Sequence, residues 1–177
     1  MALNIESPLA EFSEVEPKLY ITGAAGITKW NINSHQIKCI INATKDIPYR
    51  EFAGVERMRI SLSDNDEEDI KQYFDLFAAK VVSENERNRS VVVHCQAGCS
   101  RSATLVIAYL IKSRGMDLKE AHKLLREKRK IIRPNPGFFK QLIEYEKHIR
   151  KSNTVQMVTI YGLDGYTLDI PDVYIED

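Results

Sequence analysis

The stretch VVVHCQAGCSRSATLVIAYL, residues 91–110, decides the fold. Its opening valines are apolar without alternation, as in a central strand covered on both faces. Its second half reads as a buried helix. Between the two, residues 94–102 carry two cysteines, a histidine and an arginine. A strand that runs into a small-residue loop and then into a helix is the unit of a parallel sheet, and ligands gather at the carboxyl ends of such strands. The order aims several backbone N–H groups and the positive end of a helix dipole into one concavity, which suits a phosphate or a sulfate. Gly98 permits the tight curl that such a cradle needs. The loop lacks the Gly-Lys-Ser/Thr ending of a nucleotide-triphosphate loop.

Working outward, KLYITG (18–23), IKCIINAT (37–44) and VERMRISL (55–62) read as strands bounded by turn signals. AAGITKWNINSHQ, between the first two, predicts a short helix. Ile70, Phe74, Phe77 and Val81 recur at helical spacing, with residues 65–69 as cap and acidic first turn. Three helices are expected at 102–114, 117–130 and 137–151, the last two parted by Pro134 and Pro136. Strand and helix alternate, which predicts an α/β fold: a central, mostly parallel, twisted sheet flanked by helices. The tail from residue 152 has strand-like composition, with Gly162 and Gly165 as turn signals. The expected division is a catalytic domain over 1–151 and an extension over 152–177 that packs back on it.

Cys95 sits at the mouth of the cradle, where amide dipoles and Arg101 favour the thiolate, the nucleophilic form of cysteine. Arg101, five residues beyond the intervening loop, reaches back across the ring of amides and holds two phosphate oxygens with its planar fork. Nucleophile and clamp at this spacing point to phosphoryl transfer. The competing reading of Cys95 as a small buried hydrophobe loses to the company of His94, Gly98 and Ser102. A zinc site is disfavoured, because His94, Cys95 and Cys99 share one loop with no second ligand pair.

HCQAGCSRSA, followed by LVIAYLI, resembles the signature of the cysteine-dependent dual-specificity protein phosphatases, and the order of elements agrees over roughly residues 16–150. The chain is most similar to the small atypical members that consist of little more than the catalytic domain, with no rhodanese-like domain or basic kinase-docking motif. The resemblance implies the cysteine-phosphatase fold, a pocket shallow enough for phosphotyrosine, phosphoserine and phosphothreonine, and a cysteinyl-phosphate intermediate formed without cofactor or metal. It implies Asp64 of ISLSDN, 31 residues before Cys95, as the general acid and base, although Ser61 replaces the usual proline. Asp66 and Asp69 are its competitors, with helix capping as their alternative role. The resemblance further gives Ser102 as the hydroxyl that stabilises the departing sulfur. The loop residues Gln96, Ala97, Gly98, Cys99, Ser100 and Arg101 bind the phosphate. His94 positions the loop, and Asn135 braces it; an ordinary turn role is the alternative for Asn135. Similar tails with an NTV-x-MV and IPD-x-Y pattern occur in the small atypical members.

Cys99 departs from the residues usual at its position and suggests a reversible disulfide with Cys95 on oxidation, though four residues in one tight curl work against the geometry. Cys39 is assigned to the core. Three cysteines are too few for a disulfide framework, which fits a reducing compartment. No apolar run reaches the ~18 residues of a membrane span, and the first basic residue is Lys18, so a secretory or mitochondrial leader is not expected. The expected location is the cytoplasm, with the nucleus as an extension. Phosphoproteins are the expected partners, kinases of signalling cascades among them, without nucleic-acid binding or membrane insertion. Residues 112–133 hold nine Lys or Arg against three acids, either a solvated helix face or a field that attracts an anionic substrate. Two other functions stay open: a phosphatase of a phosphoinositide or an RNA 5′ end, and a non-catalytic phosphoprotein-binding scaffold. The uncharged Gln96, Ala97 and Cys99 weigh against the former, and retention of cysteine, arginine and acid weighs against the latter.

Overall fold

Five strands make the main sheet of the computed structural model, which describes residues 7–175: β1 (Ser13–Glu16), β2 (Leu19–Gly23), β3 (Ile37–Asn42), β4 (Glu56–Arg59) and β5 (Ser90–Cys95). Their order is β1-β2-β5-β3-β4, with β1 antiparallel on β2 and every other pairing parallel. The α/β expectation holds, with β5 at the centre. Val91, Val93 and Cys95 project into the larger core, against α2 (Phe74–Glu86), α3 (Arg101–Arg114), α4 (Leu118–Lys128) and α5 (Pro136–Arg150). Val92 projects to the other face, against Ile27, Ile32, Ile37 and Ile40 around α1 (Lys29–Ser34). This alternation on a strand buried on both sides is why its sequence shows no polar face.

Register places the site. Gly23 lies opposite Cys95 and Asn42 opposite His94, so the loops after β2, β3 and β5 leave the sheet side by side at one edge. The helix after β5 starts at Arg101, and α5 starts at Pro136 with Asn135 as its cap.

Two elements differ from the sequence expectation. The strand β1, of sequence SEVE, is absent from it, because four residues with two carboxylates resemble a loop. It forms because Ser13 and Val15 face inward and Glu16 is gripped by Arg114, Nε and Nη2 donating at 2.9 and 2.8 Å, and by the Tyr109 hydroxyl at 2.5 Å. The second difference lies at the start of α2, which begins at Phe74 after a short 3-10 turn over Lys71–Tyr73, not at the acidic cap. Residues 65–69 form a turn of their own, with Asn65 Oδ1 accepting from the amides of Glu67 and Glu68.

The tail forms a hairpin of β6 (Met157–Tyr161) and β7 (Thr167–Pro171). Its base is anchored: Val155, Ile170 and Val173 are buried, and the Tyr174 hydroxyl donates to the Pro134 carbonyl at 2.8 Å. Residues 159–169 are exposed. No helix among the described residues is long and apolar enough to cross a membrane.

Candidate active site

The loop after β5 is shaped by where its carbonyls go. Gln96 O accepts from the amide of Ala24 at 3.0 Å, Cys99 O from the amide of Arg133 at 2.8 Å, and Ser100 O from both the amide and the hydroxyl of Thr104 at 2.9 and 2.7 Å. The carbonyls of Ala97 and Gly98 accept from the guanidinium of Arg129 at 3.0 and 2.9 Å. With the carbonyls of residues 96–100 held from outside, the amides of residues 96–101 donate to no protein acceptor among the described residues. A cluster of free N–H donors ahead of a 14-residue helix is an anion cradle. Gly98 has φ +68°, and a Cβ there would lie 2.6 Å from the Thr22 carbonyl oxygen, so the curl excludes any side chain.

The predicted residues come together around this cradle. Cys95 is buried at the end of β5, its Sγ 3.2 Å from Ser102 Oγ. Arg101 is half-buried; Nη1 donates to the Leu62 carbonyl at 3.1 Å, which holds the side chain under the Asp64 loop. Its buried Nε has no hydrogen-bond partner. The exposed Asp64 is oriented twice, Oδ1 accepting from Ser100 Oγ at 2.8 Å and from Asn135 Nδ2 at 2.9 Å. Asn135 also caps α5, accepting from the amide of Phe138 at 2.8 Å, so one side chain joins a helix start to the acid. The competitors are otherwise engaged. Asp66 accepts from the amide of Gly137 at 3.3 Å in the first turn of α5, and Asp69 from the amide of Gln72 at 3.4 Å. Both therefore cap turns, though Asp66 does so on α5 rather than α2.

His94 lies behind the loop on the α1 side of the sheet, its Nδ1 3.2 Å from the Cys95 carbonyl. Burial pushes its pKa down despite that hydrogen bond, and the charges of Arg59, Arg101 and Arg50 add to the effect, so the ring is neutral. Cys99 donates to the Ala97 carbonyl at 3.6 Å, and burial, with the neighbouring Cys95, raises its pKa. Cys39 is core, its thiol pushed up to about 11 by burial. All three cysteines are free thiols. Among the described residues no cluster of three or more His, Cys, Asp or Glu is placed to hold a metal.

Sequence reasoning missed Arg129. It belongs to a basic run whose other members are mostly exposed, yet it is 0% exposed and spends its donors on backbone. Besides the two loop carbonyls it donates to Glu11 O at 2.8 Å, Ser13 Oγ at 3.2 Å and Pro8 O at 3.3 Å. One guanidinium thus ties the phosphate loop to the segment leading into β1. The one signal for it is positional: Arg129 is the C-terminal cap of α4, with extended backbone at φ −141°, where the helical face no longer predicts side-chain direction.

Comparison with known proteins agrees with this geometry. Residues 19–148 match the family model described as Dual specificity phosphatase, catalytic domain. Dual specificity protein phosphatase 14 of Mus musculus is 37% identical over 171 residues, covering 96% of this chain and 83% of that one. Dual specificity protein phosphatase 21 of Homo sapiens is 34% identical over 176 residues, covering 98% and 90%. Among solved structures, a mouse putative dual specificity phosphatase complexed with zinc tungstate superposes with a TM-score of 0.77 at 28% identity, covering 85% of this chain and 94% of that one. By a family model that spans most of its length and relatives that align along nearly all of it, the chain belongs to the dual specificity phosphatase family and is a protein phosphatase of that class.

Proposed function

We propose that Cys95, Asp64, Arg101 and Ser102 divide the hydrolysis of phosphotyrosine, phosphoserine and phosphothreonine in proteins as follows. The Cys95 thiolate attacks phosphorus in line, and Asp64 gives its proton to the departing alkoxide or phenoxide. The amides of residues 96–101 and the fork of Arg101 hold the three non-bridging oxygens. In the second half-reaction the Asp64 carboxylate takes a proton from water as that water attacks the cysteinyl-phosphate. Ser102 Oγ, 3.2 Å from the sulfur, donates to it as it leaves as thiolate. Phosphate departs, and Asp64 is again protonated. His94 and Asn135 support the loop and the acid without touching the reacting phosphoryl group.

The observation that carries this reading is the unpartnered buried Nε of Arg101 beside a loop whose carbonyls are all drawn away from its amides. Buried donors of this kind are rare without an acceptor, and a phosphate oxygen supplies one. That a relative was solved with tungstate, another tetrahedral oxyanion, supports the same reading. On this reading we count kinases of signalling cascades among the candidate phosphoprotein substrates.

The test is turnover of paired phosphotyrosine and phosphothreonine peptides, without added metal, by the wild type and Asp64→Asn. Asparagine keeps an oxygen to accept from Ser100 but has no proton to give. We expect both peptides to be hydrolysed, and kcat to fall roughly 10²- to 10⁴-fold in the variant. An aryl phosphate with a more acidic leaving group should lose less. Equal losses for both leaving groups would remove Asp64 from the acid role, and failure to cleave either peptide would overturn the function.

A further inference from the structure

On the α1 side of β5, against the back of the phosphate loop, lies a second concavity of about 290 Å³. Ala24, Ile27, Ile40 and Ile47 supply its apolar lining, together with Tyr49 and His94. Close packing normally eliminates such spaces. Here the loop after β3 is fixed to the ends of β3 and β4 by a dense set of hydrogen bonds. Asn42 Nδ2 donates to the Ile47 carbonyl at 2.9 Å, while Asn42 Oδ1 accepts from the amide and hydroxyl of Thr44 at 3.0 and 2.7 Å. Arg59 donates to the carbonyls of Thr44 and Ile47 at 2.6 and 2.8 Å, and its guanidinium lies 4.6 Å from the centre of the Tyr49 ring. Arg50 closes the rim, donating to the Ile27 carbonyl at 2.8 Å. The cleft is therefore preformed, and filling it requires little ordering of its walls.

Its position ties it to the reaction. Ala24, in one wall, donates its amide to Gln96 of the phosphate loop, and His94 precedes the nucleophile. The cleft thus shares Ala24 and His94 with the immediate surroundings of the phosphate loop, and an extended peptide advances ~3.3–3.6 Å per residue. Its chemistry selects the occupant. No acidic residue lines it, His94 is neutral, and the Arg50 guanidinium is already directed at a carbonyl. The volume is at the low end of ~300–1,000 Å³ for small-molecule sites, which suits one side chain rather than a cofactor.

We propose that this cleft is a specificity subsite that takes an aliphatic or aromatic side chain one or two residues from the phosphorylated residue of a protein substrate. The proposal rests on the protein-phosphatase reading above, because it needs a peptide anchored by its phosphate.

The test is a set of phosphotyrosine peptides that vary one position at a time, from two residues before to two after the phosphotyrosine, among Leu, Phe, Ala, Glu and Lys. Hydrolysis of p-nitrophenyl phosphate, which has no flanking residue, is measured in parallel with the full-length protein. At one position we expect Leu or Phe to exceed Ala by roughly 10- to 100-fold in kcat/KM, carried mainly by KM. In Ile47→Asp that ratio should fall towards one while Lys gains. Ala25→Trp, a change at the exposed rim of the cleft, should also reduce it, and serves where the charged variant does not fold. Each ratio is taken within one enzyme preparation, so loss of folded protein cancels. A wild-type ratio within about twofold at every position, a preference for Glu, or an apolar preference that survives in both variants would overturn the subsite alone. If neither the aryl phosphate nor any peptide is hydrolysed, the phosphatase reading fails and the subsite falls with it.

Discussion

Cys95→Ser is expected to lower kcat by roughly 10⁴- to 10⁶-fold, the scale on which enzymes lose rate when an activated nucleophile is removed. The substitution exchanges one atom in a fully enclosed position, since Cys95 is 2% exposed, and it leaves the carbonyl anchors of the loop untouched. Stability should therefore change little. A serine hydroxyl ionises far less readily than a thiol, so the loop amides and Arg101 do not produce an alkoxide at neutral pH. Substrate binding survives because the amides of residues 96–101 and Arg101 remain. The variant should hold phosphopeptides without consuming them, which equilibrium binding of a labelled phosphopeptide checks alongside single-turnover kinetics. Retention of more than about one per cent of wild-type turnover would remove Cys95 from the nucleophile role.

Arg129→Met is expected to combine the largest loss of stability with a loss of phosphate affinity. The arginine is fully buried, and its hydrogen-bond partners are neutral: the carbonyls of Ala97, Gly98, Glu11, Pro8 and Leu9 and the hydroxyl of Ser13. Methionine fills similar volume but supplies no donor, and each stranded acceptor costs about 1–3 kcal/mol. Relaxation recovers part of this, so the expected net loss is about 3–5 kcal/mol, on the scale of breaking a buried charged network. Urea unfolding measures it. The second effect follows from geometry. Without the guanidinium, the carbonyls of Ala97 and Gly98 are free to rotate inward, and the amides that should face phosphate turn with them. Competitive inhibition by inorganic phosphate should weaken by at least about tenfold even where the variant is fully folded. Arg129→Lys should rescue little, because a single ammonium does not span the fork. Unchanged phosphate inhibition with a stability loss alone would show that Arg129 holds the fold but does not shape the loop.

These residues also show what the sequence could reveal. The placement of Cys95, Gly98, Arg101 and Ser102 around one cradle was legible because it is local: a strand, a curl and a helix start lie within twelve residues, 91–102, and dictate which groups converge. Asp64 was legible only by resemblance. Its position depends on Ser100 and on Asn135, 71 residues away, and no periodicity encodes such a pairing. Arg129 was illegible because a basic residue within REKRK (126–130) reads as solvated, and the turn of backbone that sends it inward occurs after the helical pattern ends. The strand β1 was hidden for a related reason: Glu16 is a strand residue because Arg114, almost a hundred residues on, pairs with it. The start of α2 was misplaced because acidic residues that resemble a cap were used to carry Asp64 over the cradle.

The C-terminal hairpin has a consequence for how the molecule fluctuates. A two-stranded ribbon is marginal on its own, and β6 and β7 bury side chains only at their base; residues 159–169 are exposed, with a solvent-exposed ion pair, Lys140 to Asp169 at 3.8 Å, reaching α5. Local opening there breaks few apolar contacts, so its amides should exchange with deuterium orders of magnitude sooner than those of β5 and β3, whose release requires the whole core to come apart. Because Tyr174 fastens the returning strand to the Pro134 carbonyl, beside Asn135, this fraying has a defined inner boundary. The outer ribbon opens and closes many times while the turn that holds Asn135 against Asp64 stays shut.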